Sequence, residues 1–158
     1  MKVEDIMTKN VLALNPKDTV TKAIEKLAEH HVSGAPVVSD DGQVIGIVTE
    51  TDILGALKKK CKRLKMVYPS LSMVSVSFIE CFDDKEIMDA FKQVASTKIS
   101  EMMTKQVVTA PKDFELGEVV QLMNDKKVNR VPVVSGKKLV GKVSRADIIR
   151  GLAKIHSL

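Results

Sequence analysis

The chain has 158 residues, enough for one ordinary domain or two very small ones, and 44% of them are hydrophobic, enough to build a core. Aromatics are only 3%, so Val, Ile, Leu, Met and Ala must fill that core; the net charge of +5 and a pI near 9.2 permit acidic or phosphorylated partners without requiring nucleic acid. Met1-Lys2-Val3-Glu4-Asp5 is no secretory leader and no apolar run reaches the length of a membrane span, so a soluble, cytoplasmic protein is expected.

In chain order, Val11-Leu12-Ala13-Leu14 reads as a short strand stopped by Asn15-Pro16. Asp18 or Thr19 then caps a helix whose apolar residues, Val20, Ala23, Ile24, Leu27 and Ala28, fall on one stripe. His30 and His31 suit its C-terminal end as cap residues rather than ligands. Ser33-Gly34 ends that element. Ala35 to Val38 and Val44 to Val48 read as hairpin strands around an Asp40-Asp41-Gly42 turn. A second helix runs from Glu50 toward Lys60, with Ile53, Leu54 and Leu57 expected inside.

The same unit is then written again. Met7-Thr8-Lys9 recurs as Met103-Thr104-Lys105, Pro16-Lys17-Asp18 as Pro111-Lys112-Asp113, and Pro36-Val37-Val38-Ser39 as Pro132-Val133-Val134-Ser135. In the second copy Val107-Val108-Thr109 is the expected strand, and Leu116, Val119, Val120 and Met123 the helical stripe. Arg130–Val134 and Leu139–Val143 form the hairpin, turning at Gly136-Lys137, and Ile148, Ile149 and Leu152 are expected to face inward on the last helix. The pattern predicts an α/β (α+β) fold of two β-α-β-β-α repeats. Units of about 55 residues bury little alone, so they are expected to pack about a pseudo-twofold axis into one domain. The boundaries read as 1–57, 58–98 and 99–158.

Residues 58–98 form an insert. Its Lys58–Lys65 run is either the solvated, dipole-compatible end of a helix or a polyanion contact. Met73–Phe78 alternates like an edge strand, and Asp83-Asp84 caps a helix with Ile87, Met88, Phe91 and Val94 on one side. Cys61 and Cys81 lack a second pair, so they read as buried free thiols rather than a zinc site.

The most informative stretch is Gly46-Ile47-Val48-Thr49-Glu50-Thr51-Asp52-Ile53, repeated as Gly141-Lys142-Val143-Ser144-Arg145-Ala146-Asp147-Ile148. Each puts a hydroxyl and a carboxylate where a strand hands over to a helix. Unpaired amides and the helix dipole make such a corner fit to hold an anion. Ser/Thr-x-x-Asp is equally the signature of a capping box, in which the same two side chains only start the helix.

The twofold Gly-h-h-Thr/Ser-x-x-Asp, the twofold h-Pro-Val-Val and the element order together resemble paired CBS domains (the Bateman module), over roughly residues 1–57 and 99–155. The resemblance implies adenosine-containing ligands, such as AMP, ADP, ATP, S-adenosylmethionine or methylthioadenosine, held in clefts between the repeats. It implies that Asp52 and Asp147 accept from the ribose diol, and that Thr49 and Ser144 reach ribose or phosphate. It also implies that main-chain groups near Val11, Ala35, Val107 and Val131 line the adenine slot. Arg130 matches the family's phosphate-contacting position, and Arg145 is a second basic candidate. Copy one has Gly34 and Glu50 at those two places, so the second copy's cations are expected to hold the phosphate, with Asp147 mattering at least as much as Asp52; the family's clefts mix residues from both repeats, which leaves Arg130 unassigned to one pocket.

No nucleophile–base pair, metal cluster or Walker-type loop is present in the sequence. The expected protein is therefore a stand-alone regulatory module, not an enzyme, that requires no cofactor. It would signal occupancy by an adenine nucleotide or adenosine derivative to an unknown partner, as a homodimer whose twofold contact covers whichever of Ile53, Leu57, Ile149 and Leu152 the core leaves over. The alternatives are a nucleic-acid-binding protein using the Lys58–Lys65 run, or a ligand-free dimerisation scaffold.

Overall fold

The computed structural model describes residues 1–61 and 84–156. Helix α1 is one turn, Val3–Ile6, followed by α2, Val20–Glu29. Strands β1, Gly34–Val38, and β2, Val44–Thr49, lead into α3, Glu50–Lys60. After α4, Asp84–Val94, the pattern returns. It runs through the one-turn α5, Ile99–Met102, the two-residue β3, Ala110–Pro111, and α6, Leu116–Lys126. It closes with β4, Arg130–Ser135, β5, Lys138–Ser144, and α7, Arg145–His156.

Local chemistry accounts for most boundaries. The Thr19 hydroxyl accepts from the Lys22 amide and opens α2. Asp18, the other candidate cap, is instead buried beside Lys22 and Lys26, at 3.0 and 2.7 Å. Helix α2 ends before Ser33-Gly34: His30 is its C-cap, its ring Nδ1 sits 2.9 Å from the Lys26 carbonyl, and His31 has φ 52°. Gly42, at φ 82°, and Gly136, at φ 62°, supply the left-handed residue each hairpin turn needs. Both hairpins are antiparallel and carry an irregularity at matching places, Val37/Val38 and Val133/Val134.

The two copies are related by a pseudo-twofold axis, and the isolated bridges prove it. Thr8 pairs with Lys142 as Thr104 pairs with Ile47, and Lys2 with Glu115 as Lys98 with Thr19. Gln43 pairs with its own counterpart Lys138, on the axis, where Val44 N donates to Lys137 O and Leu139 N donates to Gly42 O, both at 3.1 Å. The opening turns are exchanged. Val3 and Ile6 pack in the core formed by Val119, Val131 and Val143, whereas Ile99 packs in the core formed by Leu14, Val37 and Val48. Each exchanged segment runs close over the other repeat's motif glycine. A Cβ on Gly46 would lie 2.4 Å from Met103 Sδ, and one on Gly141 2.8 Å from both Met7 Sδ and the Thr8 carbonyl. A side chain at either position would push this segment off the strand.

Several expectations need correction. The first strand of each copy is not at 11–14 or 107–109. Copy one keeps only a parallel bridge, Leu14 to Val37, and copy two pairs Ala110–Pro111 with β4. The residues just before them are spent crossing between repeats, so ladder pairing starts only afterwards. Leu54, Ile149 and Leu152 are 62%, 64% and 47% exposed, not inside. On α3 the buried stripe is Ile53, with Ala56 and Leu57 packed beside it, and Leu54 lies one residue off that face. Met88 is likewise exposed while Ala90 and Val94 carry the buried side of α4, with Phe91 packed against the first core. The turns α1 and α5 were not anticipated, being too short for a periodic signal.

Cys61 is a free, buried thiol, and burial, with Glu86 nearby, raises its pKa. Cys81, the 73–78 strand, the Asp83 cap and the 62–65 end of the basic run lie outside the described residues. Among the described residues no helix is long and apolar enough to cross a membrane, and no three His, Cys, Asp or Glu side chains converge as a metal site would require.

Candidate functional site

Strand β2 hands over to α3 at Thr49, whose φ of −125° and ψ of 166° are still extended. Asp52 Oδ2 accepts from the Thr49 amide at 2.8 Å and from the Thr49 hydroxyl at 3.0 Å. Its Oδ1 accepts from the Thr104 hydroxyl at 3.3 Å, across the repeat boundary. The second corner repeats the plan. Asp147 Oδ2 accepts from the Ser144 amide at 2.8 Å and hydroxyl at 2.5 Å, and Oδ1 accepts from Thr8 at 3.3 Å. Both carboxylates therefore do act as helix-starting residues, as the capping reading requires. Each is also tied to the segment that arrives from the other repeat. The first amide of each helix is already taken: Glu50 N donates to Ser33 O at 2.8 Å and Arg145 N to Asn129 O at 3.1 Å.

Between the repeats lies a cleft of about 500 Å³. That volume is within the range of small-molecule and cofactor sites. One wall comes from copy one, with Ala35, Thr49 and Glu50, and the other from copy two, with Val107, Asn129, Arg130 and Val131. Arg130 and Lys142 set two cations in the lining against the single carboxylate of Glu50. The α3 N-terminus adds partial positive charge there. Ala35 and Val131 are buried and pair with Val48 and Val143 inside their hairpins, so they contribute to the apolar wall of the cleft.

Of the candidate residues, Ala35, Thr49, Val107, Arg130 and Val131 meet in this cleft; Val11, Ser144, Arg145 and Asp147 lie outside its lining. Asp52 stands directly behind two lining hydroxyls, Thr49 and Thr104. The charges are grouped differently from the expectation. Arg130 faces the first copy's motif, together with Glu50, and not Asp147. The exchange of segments between repeats is the reason: copy two's strand entrance and copy one's corner are neighbours in space.

Sequence reasoning missed Lys142, Thr104, Gln106 and Asn129 as lining residues. Lys142 was discoverable. Strand alternation sets it opposite buried Val143, and its repeat counterpart is the apolar Ile47. Thr104 was legible only as part of a repeated Met-Thr-Lys, with nothing in the sequence to bring it to Asp52.

Comparison with known proteins agrees with this architecture. The family model for the CBS domain matches residues 3–59 and 99–154. The uncharacterized protein MJ1426 of Methanocaldococcus jannaschii is 30% identical over 154 residues, 96% of this chain and 91% of that protein. Inosine-5'-monophosphate dehydrogenase of the same organism is 28% identical, but the match takes in 94% of this chain and only 23% of the enzyme. The CBS domain of a CBS-domain-containing membrane protein from Sphaerobacter thermophilus superposes with a TM-score of 0.70 at 27% identity, over 95% of this chain and 86% of that one. CBSX2 of Arabidopsis thaliana, solved in complex with AMP, gives 0.70 at 23% identity over 98% of both chains. The CBS domain pair of MJ0100, solved with methylthioadenosine and S-adenosylmethionine, gives 0.65 at 24% identity over 98% of both. The last two show likeness of fold.

Proposed function

The chain belongs to the CBS domain family, and we propose that it is a regulatory module that binds an adenosine-containing ligand in the cleft between its repeats. The observation that carries this reading is the composite cleft itself. One corner brings together the Thr49 hydroxyl, a capping carboxylate behind it, Val107 from the other repeat, and Arg130. Those groups suit the three parts of a nucleotide. The apolar wall around Ala35, Val107 and Val131 takes an adenine ring. Asp52 accepts from a ribose diol that replaces the long Thr104 contact. Arg130 and Lys142 neutralise phosphate. The AMP bound by CBSX2 and the methylthioadenosine and S-adenosylmethionine bound by MJ0100 support an adenosine compound as the ligand.

Binding reaches a partner through the exchanged segments. A ligand that draws Asp52 away from Thr104 acts on a bridge that joins the two repeats. The exposed Leu54, Ile149 and Leu152 would be covered by a second copy of the chain, giving a homodimer. Light scattering should then return twice the chain mass at micromolar concentration; a monomer there removes the dimer from the reading.

The deciding experiment is calorimetry together with thermal unfolding, using AMP, ADP, ATP, S-adenosylmethionine and methylthioadenosine. Ligand at a hundredfold excess over its Kd adds about 2.7 kcal/mol to stability. At least one compound should raise the unfolding temperature accordingly. If none produces heat or a shift, the adenosine reading fails. Nucleic-acid binding would instead appear as an affinity that collapses steeply with salt.

A further inference from the structure

The two strand-to-helix corners follow one plan but differ in how full their carboxylates are. An ionised carboxylate offers about four lone-pair positions. Among the described residues Asp52 receives three donors, the Thr49 amide, the Thr49 hydroxyl and the Thr104 hydroxyl. Asp147 receives the equivalent three from Ser144 and Thr8, and a fourth from the Arg150 guanidinium, which ion-pairs with Oδ1. Its side chain is 3% exposed. The residue at Arg150's place in the first copy, three after the motif aspartate, is Gly55.

A ribose diol brings two donors and needs two acceptor positions. At Asp52 one position is open and another is held only by the 3.3 Å contact to Thr104. At Asp147 the Thr8 contact is equally long, at 3.3 Å, but Arg150 fills the position that is open at Asp52, so two positions are not free together until Arg150 is displaced. The stem of Arg150 is in solvent, and an ion pair between two exposed groups would be weak. Here the carboxylate end is buried, so leaving it without its cation is what disfavours displacement. We propose that Arg150 closes the second corner, so that each chain holds a single adenosine ligand, in the cleft beside Thr49. This inference rests on the adenosine reading above and makes Arg150 the residue that sets stoichiometry.

The test is a reciprocal exchange between the copies, read by calorimetry of the full chain with AMP and with adenosine as probes. The wild type should titrate at one equivalent per chain. Arg150→Gly should reveal a second equivalent, and Arg150→Gln, which keeps a good helix former, should do the same if glycine loosens α7. Gly55→Arg installs the closing residue in copy one. An added Cβ there meets no atom within 4 Å, so a side chain can leave the helix at this position. This variant should lose at least tenfold in affinity for both probes while its circular dichroism stays that of the wild type. Two equivalents in the wild type overturn the proposal. So does a single equivalent in both Arg150 variants, or unchanged affinity in Gly55→Arg. Absence of heat from every probe, in the wild type and in both Arg150 variants, is a different result: it removes the adenosine reading itself.

Discussion

The two repeats have diverged unequally: their backbones match bridge for bridge, while their charged positions do not. Thr8–Lys142 answers Thr104–Ile47, and the hairpins share even the position of an irregularity. Yet Gly34 stands opposite Arg130, Ile47 opposite Lys142, Glu50 opposite Arg145, and Gly55 opposite Arg150. All four differences lie in or beside the cleft and the two corners. Pairing and packing constrain the backbone of both copies equally, because each core is completed by the other's opening turn. Nothing in that exchange constrains which copy carries a cation. A symmetric fold therefore supports an asymmetric site.

The largest effect that sharpens this comparison lies in the cores. Leu14 is fully buried and bridges Val37 in copy one, while the residue that bridges Val133 in copy two is Ala110. Leu14→Ala gives the first core the second's smaller residue without the second's surroundings. It should cost about 2–5 kcal/mol, measured by urea unfolding. A loss below about 1 kcal/mol would mean that the first core closes around the space, as the second has done.

The next contrast concerns the turn before each long helix. Asp18 is buried between Lys22 and Lys26 and accepts from the Asn15 amide; Asp113 in copy two is exposed. Burial alone would raise the Asp18 pKa, but the bonds from Lys26, Lys22 and Asn15 outweigh it and hold the carboxyl below its ordinary value. A depressed folded-state pKa contributes stability that is present above the unfolded value, near 3.8. That stability is lost as pH falls through the folded one. Asp18→Asn should cost about 2 kcal/mol at neutral pH, and the gap from wild type should close as the pH drops below about 4. Asp113→Asn should change little at any pH. An Asp18→Asn deficit that persists in acid would assign the loss to packing rather than charge.

How much of this was legible in the sequence follows the same division. Hairpin strands, turn glycines and the α3 start were readable to within a residue, since Pro-Val-Val, Asp-Gly and Thr-x-x-Asp each act through their immediate neighbours. The exchanged turns at Val3–Ile6 and Ile99–Met102 were not readable, because four residues carry no period and their partners lie a whole repeat away. That one omission hid which residues of the two copies are neighbours in the cleft. The sequence leaves Arg130 unassigned to either cleft and only its place in copy two favours the Asp147 motif, whereas the exchange brings the Thr49 motif to it. The inward placement of Leu54, Ile149 and Leu152 failed for another reason. A helix that is apolar on more than one face does not declare which face the core takes.

The smallest predicted effect tests the charge grouping directly. Arg130 and Lys142 supply the cleft's positive lining beside Glu50, so a phosphate there has two partners and one opponent. Losing one charge-assisted bond leaves the other cation in place. Arg130→Ala should therefore weaken AMP about tenfold, or 1.4 kcal/mol, and leave adenosine, which lacks the phosphate, nearly unchanged. Glu50→Gln should move AMP the other way, by a smaller factor, because it removes the opponent without adding a bond. Calorimetry with AMP and adenosine on both variants separates phosphate recognition from general damage to the cleft. Equal losses for the two ligands in Arg130→Ala would put the phosphate elsewhere. The remaining basic candidate would then be Arg145, on the far corner, and the asymmetry between the repeats would have to be drawn in the opposite sense.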